Sequence, residues 1–192
     1  MPKNTNILMV RHGEKPKSGP FLAVAGQERA QAYSVYFENY LLNSKLVKLN
    51  YLFAAANSNA SQRPVLTITP LSAATGLKIN TPYADKEYGK LATEILSGST
   101  YDGSNILICW HHGQILQLAS ALGAKAKDLP KSSNWPGRKW PPQVFGWVLQ
   151  LCYDGNGNII PAQTVCINQK LMFDDHGQNP PLPLAKLQRA KK

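Results

Sequence analysis

The chain is poor in acid. Its 192 residues hold 11 Asp and Glu against 21 Lys and Arg, a formal net charge of +10. Such a field favours acidic or phosphorylated partners and raises encounter rates with them. The cations are scattered and form no nucleic-acid-binding motif, so nucleic acid is not an expected partner. Cysteine is also scarce: Cys109, Cys152 and Cys166 make an odd count with no CxxC pair, which speaks for a reducing compartment. Cys109 and Cys152 lie in apolar runs and are expected as small core residues. No apolar run reaches membrane-spanning length, no internal repeat is evident, and a strand begins almost at once, leaving no room for a signal peptide. The expectation is a cytoplasmic protein with no membrane partner.

What the chain does have is the pattern of an α/β domain. Residues 6–10 and 49–55 read as buried strands, and 105–110 as a third. Between them, 22–42 reads as a helix with Ala25, Ala32, Val35, Tyr36 and Tyr40 near helical spacing. A second helix is expected over 62–76, ended by Gly76 and kinked or shortened by Pro70. A short strand at 78–81 and helices at 87–96 and 113–122 follow. Residues 129–142 carry four prolines and two tryptophans and read as an ordered loop. A strand over 145–153, the turn Asp154-Gly155-Asn156-Gly157 and a return strand over 158–168 make a C-terminal β-hairpin. Alternating strands and helices imply a three-layer αβα fold with a mixed, mostly parallel sheet. The size suits one domain, residues 1–174, followed by a Pro-rich basic tail, 175–192.

Chemistry concentrates at three places. Arg11-His12-Gly13 directly follows the first strand, and His111-His112-Gly113 directly follows the third. In open α/β sheets, ligands lie beyond the carboxyl ends of strands. Arg63, in Ser61-Gln62-Arg63-Pro64, opens a helix after the second strand, where free backbone N–H groups and the helix dipole already favour an anion. A guanidinium adds a planar donor fork suited to phosphate. No metal-ligand spacing is present, and no cofactor is expected.

Taken together these residues resemble the histidine phosphatase superfamily, the phosphoglycerate-mutase-like proteins. The matching elements, in the family's order, are Arg11-His12-Gly13, Leu22-x-x-x-Gly26-x-x-Arg29-Ala30, Ser61-x-Arg63 with Thr67, and His112-Gly113. They span about residues 5–123. The resemblance implies catalysis by His12, attacking phosphorus as the neutral imidazole, with Arg11, Arg63 and His112 stabilising the transferring group. His112 is selected over His111 because the family's second histidine precedes glycine. The family's aspartate after that histidine is here Gln114, which cannot donate a proton in that role. Other members of the family use a glutamate some two dozen residues after the helix arginine, and the resemblance therefore implies Glu87 as general acid, with Asp85 as the alternative.

These readings imply a metal-independent phosphomonoesterase acting through a phosphohistidine on a phosphorylated small molecule or phosphoprotein. The competing readings are a phosphate-ligand-binding member without turnover and a phosphoglycerate-type mutase. Only short segments separate Arg63 from His112, leaving little room for a capping subdomain, which argues against the mutase. Trp135 and Trp140 are candidates for a pocket wall or for loop anchors.

Overall fold

The computed structural model describes residues 1–180. Its elements in chain order are β1 (Asn6–Arg11), α1 (Val24–Glu38), a two-strand ribbon of β2 (Leu41–Leu42) and β3 (Lys45–Leu46), β4 (Tyr51–Ala54), α2 (Arg63–Thr75), β5 (Ile79–Asn80), α3 (Tyr88–Leu96), β6 (Asn105–Trp110), α4 (Ile115–Ala121), β7 (Trp147–Cys152) and β8 (Val165–Asn168). Six strands form one sheet in the order β5-β4-β6-β1-β7-β8. β1 and β6 pair in parallel from Asn6 with Asn105 to Arg11 with Trp110. β4 and β5 continue the parallel half, and β7 and β8 close it antiparallel. This is the expected mixed α/β sheet with its antiparallel C-terminal pair. The return strand is shorter than expected, because a 3-10 turn at Pro161–Gln163 interrupts it.

The central strands are buried on both faces, which is why they read as continuous apolar runs. Met9, Ile106 and Ile108 pack with Leu91, Ile95 and Leu118 of α3 and α4. On the other face, Leu8, Val10 and Cys109 pack with Tyr33, Phe37, Ile68 and Leu71 of α1 and α2. All three cysteines are buried and free.

Two helices depart from expectation. α1 buries Gly26, Arg29, Ala30, Tyr33 and Phe37, while Ala25 and Val35 are exposed. The apolar spacing misplaced the face because its first turns are fixed by a glycine contact and a buried cation. α2 runs through Pro70 without interruption and ends at Gly76, whose φ of 72° and N–H bond to Ser72 O form a left-handed cap. The helix is held by tertiary packing and by Pro64 in its first turn, a position where a missing N–H costs nothing.

The glycine contact joins β1 to α1. A methyl group on Gly26 would lie 2.4 Å from the Glu14 carbonyl oxygen, and one on Gly13 would lie 2.8 Å from that of Gly26. Gly26→Ala is expected to cost about 1–3 kcal/mol by overpacking, read as a lowered thermal midpoint. Gly89, on the exposed face of α3, has open space around it. There Gly→Ala is expected to raise stability by about 0.4–1 kcal/mol through lost chain entropy in the unfolded state.

The segment after β8 is packed rather than free as far as it is described. A 3-10 turn, Phe173–Gly177, brings Asp175 into the interior, so the boundary expected after Asp174 falls within that turn. Residues 181–192 of the expected tail lie outside the described residues.

Candidate active site

The carboxyl ends of β1 and β6 adjoin, since Arg11 pairs with Trp110, and the residues that follow each strand meet there. His12 N–H continues the ladder to Trp110 O at 3.1 Å. His12 itself is buried. Its Nδ1 lies 2.7 Å from Gly13 O. A carbonyl only accepts, so Nδ1 carries the proton and Nε2 carries the lone pair. Burial, with Arg11, His111 and Arg63 nearby, pushes the His12 pKa down to about 2 against the pull of the Gly13 carbonyl. The ring is therefore neutral at physiological pH, the form a nucleophile needs.

Arg11 is fixed from several sides. Its Nη1 donates to Pro142 O at 2.7 Å and Val144 O at 2.8 Å, and Phe145 lies beneath its guanidinium, 3.7 Å from Cζ to the ring centroid. Burial lowers its pKa to about 9, which leaves it charged at neutral pH. Arg63 anchors the start of α2, donating to Gly19 O at 2.9 Å and Ala60 O at 3.3 Å. Thr67, one turn along α2, accepts from Gly13 N–H at 2.8 Å and donates to Arg63 O at 2.7 Å. That pair of bonds ties the backbone turn after His12 to the helix carrying Arg63. The Nε atoms of Arg11 and Arg63 and the Nδ1 of His112 are buried without a partner among the described residues. Unused donors on two cations beside a neutral imidazole make a setting for a bound oxyanion.

Behind this set stands a second arginine system. Arg29 on α1 donates to both oxygens of Glu14 and both of Asp175, at 2.6 to 3.1 Å. Although burial alone would lower it, neighbouring Tyr33 and the hydrogen bonds to Asp175 and Glu14 hold the Arg29 pKa above its ordinary value. Arg29 thus spends its charge on structure, and it fastens the loop after His12 to the C-terminal turn.

The histidine pair separates. His111 places its ring 5.0 Å from that of His12, edge-on. His112, the residue singled out by sequence, lines an adjoining cavity with Arg138, Lys139 and Trp140. Burial lowers both pKa values to about 4, helped for His111 by Arg63 and for His112 by Arg11. The sequence selected His112 over His111 and left the role of His111 open. β6 ends at Trp110, and both histidines lie in the segment beyond it.

The two candidate acids also separate. Glu87 closes the start of α3: its carboxylate accepts from Ala84 N–H at 3.0 Å and from Lys90 Nζ at 2.5 Å, and these bonds lower its pKa, that to Lys90 most. This differs from the expectation, which put Glu87 first. Asp85 instead faces Gln114. With its amide turned to donate, Gln114 Nε2 reaches Asp85 Oδ2 at 2.7 Å. The Asp85 carbonyl accepts from Trp110 Nε1 at 3.1 Å, and burial raises the carboxyl pKa to about 6. Phe145 was missed altogether, because no local pattern marks a residue that meets Arg11 from the far end of the chain. Among the described residues no cluster of three or more His, Cys, Asp or Glu is placed to hold a metal ion, and no helix is long and apolar enough to cross a membrane.

No protein-family model matches the sequence, and no curated protein matches it. Solved structures do. Phosphoglycerate mutase from Plasmodium falciparum superposes with a TM-score of 0.51 at 16% identity, over 95% of this chain and 96% of that one. The protein histidine phosphatase SixA complexed with tungstate gives 0.51 at 13% identity, over 85% and 97%. A SixA protein from Agrobacterium tumefaciens gives 0.51 at 13% identity, over 82% and 96%. In fold, this chain is similar to these phosphoglycerate mutase and SixA structures.

Proposed function

We propose that the protein is a phosphatase in which His12 is the nucleophile, acting without a metal ion on a phosphorylated small molecule or phosphoprotein. The observation that carries the reading is the state of His12: buried, neutral, with Nδ1–H committed to Gly13 O, and flanked by arginines with donors to spare. A second support is the tungstate held by SixA, an oxyanion of phosphate-like shape.

In the first step the Nε2 lone pair attacks phosphorus and the bond from phosphorus to the leaving oxygen breaks. Positive charge on the phosphorylated ring is eased by the Nδ1–H bond to Gly13 O, and the anionic oxygens are held by Arg11 and Arg63. His111, beside His12, adds a donor to that group, and His112 bounds the site where the leaving group departs. Asp85 supplies the proton that the leaving oxygen needs. Water then attacks phosphorus, the P–N bond breaks, and the water's proton passes to the Asp85 carboxylate, restoring the starting state.

The test is release of phosphate from phenyl phosphate and p-nitrophenyl phosphate in EDTA. Release in the chelator is expected; its absence with both esters and with phosphoproteins would leave a binding pocket only. The acid assignment is read separately. With Asp85 at about 6, it donates below that pH and loses the proton above, so the rate on phenyl phosphate falls as pH rises through 6. The ester's own second ionisation lies in the same range, so the comparison is between wild type and Asp85→Asn, in which it cancels. Asp85→Asn is expected to lower phenyl phosphate turnover by about 10²-fold or more and p-nitrophenyl phosphate turnover far less. Glu87→Gln is expected to leave both rates near wild type; a reversed pattern would return the role to Glu87.

A further inference from the structure

Beside the His12 pocket lies a cavity of about 460 Å³ walled by His112, Gly113, Leu116, Gln117, Arg138, Lys139, Trp140 and Pro142. Two cations face it and no carboxylate does. Among the described residues neither Arg138 nor Lys139 has an ion-pair partner, and the adjoining His112 keeps a buried Nδ1 without one. The loop that carries the two cations is not free to drift. It is latched to the catalytic pocket by the Arg11 bonds to Pro142 O and Val144 O. Trp140 is buried within it, donating Nε1–H to Val144 O at 2.8 Å and packing 5.5 Å from the Trp147 ring. Arg11 therefore ties this loop to the end of β1, and His112 lines the cavity from the segment after β6. Leu116 and Trp140 supply an apolar floor between the charged ends.

We infer that this cavity is a second anionic subsite, which takes a carboxylate or second phosphate carried by the leaving group of the phosphorylated substrate, with Arg138 and Lys139 as its cations. The inference rests on the phosphatase reading and narrows it: simple alkyl or aryl phosphates are poor substrates, and doubly anionic ones with a compact apolar spacer are good. Arg138 and Lys139 are exposed and without an ion-pair partner among the described residues, on a loop anchored by Trp140 and Arg11, so both cations are available to a second anion.

The experiment compares phenyl phosphate with its meta- and para-carboxy and phosphono derivatives, in wild type and in the double variant Arg138→Gln, Lys139→Gln. In wild type, kcat/KM for the best doubly anionic ester is expected to exceed that for phenyl phosphate by tenfold or more. In the double variant the ratio falls close to one. The control pair Lys45→Gln, Lys48→Gln removes the same charge from exposed residues on and beside the β2–β3 ribbon and is expected to keep the wild-type ratio. Which derivative wins tells a carboxylate site from a phosphate site. A ratio near one in wild type, or a ratio the double variant leaves intact, overturns the subsite. Equilibrium binding of benzenephosphonate and its carboxy derivatives, which are not hydrolysed, repeats the comparison without turnover. Discrimination there that the double variant abolishes supports the subsite even if no ester is cleaved, and equal affinities overturn it.

Discussion

His12→Ala is expected to reduce phosphate release by about 10⁴-fold or more, since removal of a nucleophile abolishes the covalent route and leaves only the charge stabilisation around it. The substitution falls on a buried side chain, so the rate must be read beside a thermal melt showing that the variant folds. Trapping gives a second reading. In a wild-type reaction quenched with alkali, labelled phosphate is expected on the protein through a P–N bond that survives base and is lost in acid. The same label should be missing from His12→Ala. Substitution of His111 and His112 by Gln divides their roles. Each is expected to retain the labelled intermediate while slowing its formation, because neither supplies the attacking atom. Activity unchanged in His12→Ala would remove the nucleophile assignment, and a label persisting there would move it to another side chain.

Arg29→Met is expected to destabilise the fold by about 3–5 kcal/mol, the usual consequence of leaving one member of a buried ion group uncompensated. Both Arg29 and Asp175 are 1% exposed. Methionine fills much of the volume, yet it leaves the Asp175 carboxylate in the interior with Met172 N–H, at 3.1 Å, as its remaining donor among the described residues. Against a total stability of about 5–15 kcal/mol, such a loss is read directly from the urea midpoint. The double variant Arg29→Met, Asp175→Leu separates charge from packing: it is expected to recover part of the loss, because no stranded charge remains. A loss below about 1 kcal/mol in the single variant would mean that the desolvation cost of the arginine nearly cancels its five hydrogen bonds.

Much of the fold was legible because its strands are buried on both faces and its punctuation is local. Residues 105–110 were read as a strand within the bounds the structure gives, and Gly76 marked the end of α2 by its left-handed cap. The buried face of α1 was not legible. Arg29 looks like a surface cation in the sequence, and only Glu14 and Asp175, the latter 146 residues away, make its burial tolerable. Pro70 misled for a related reason: intrinsic propensity is a weak force beside the packing of Ile68 and Leu71 against the sheet. At the site, the residues next to strand ends could be named from spacing, since topology brings those ends together. Which histidine turns toward His12, and whether Asp85 or Glu87 is free, depended on turn geometry and on a lysine one turn along α3. Spacing carries no record of either.

The tie between Arg29 and Asp175 also orders events in time. A ribosome adding about 5–20 residues per second makes Asp175 roughly 7–30 s after Arg29, given the 146 positions between them. Throughout that interval only one of the two carboxylate partners of Arg29, Glu14, is present in the chain. The loop after β1, among the first of the described segments to be made, is thus fully tied down only once the turn after β8 has followed it.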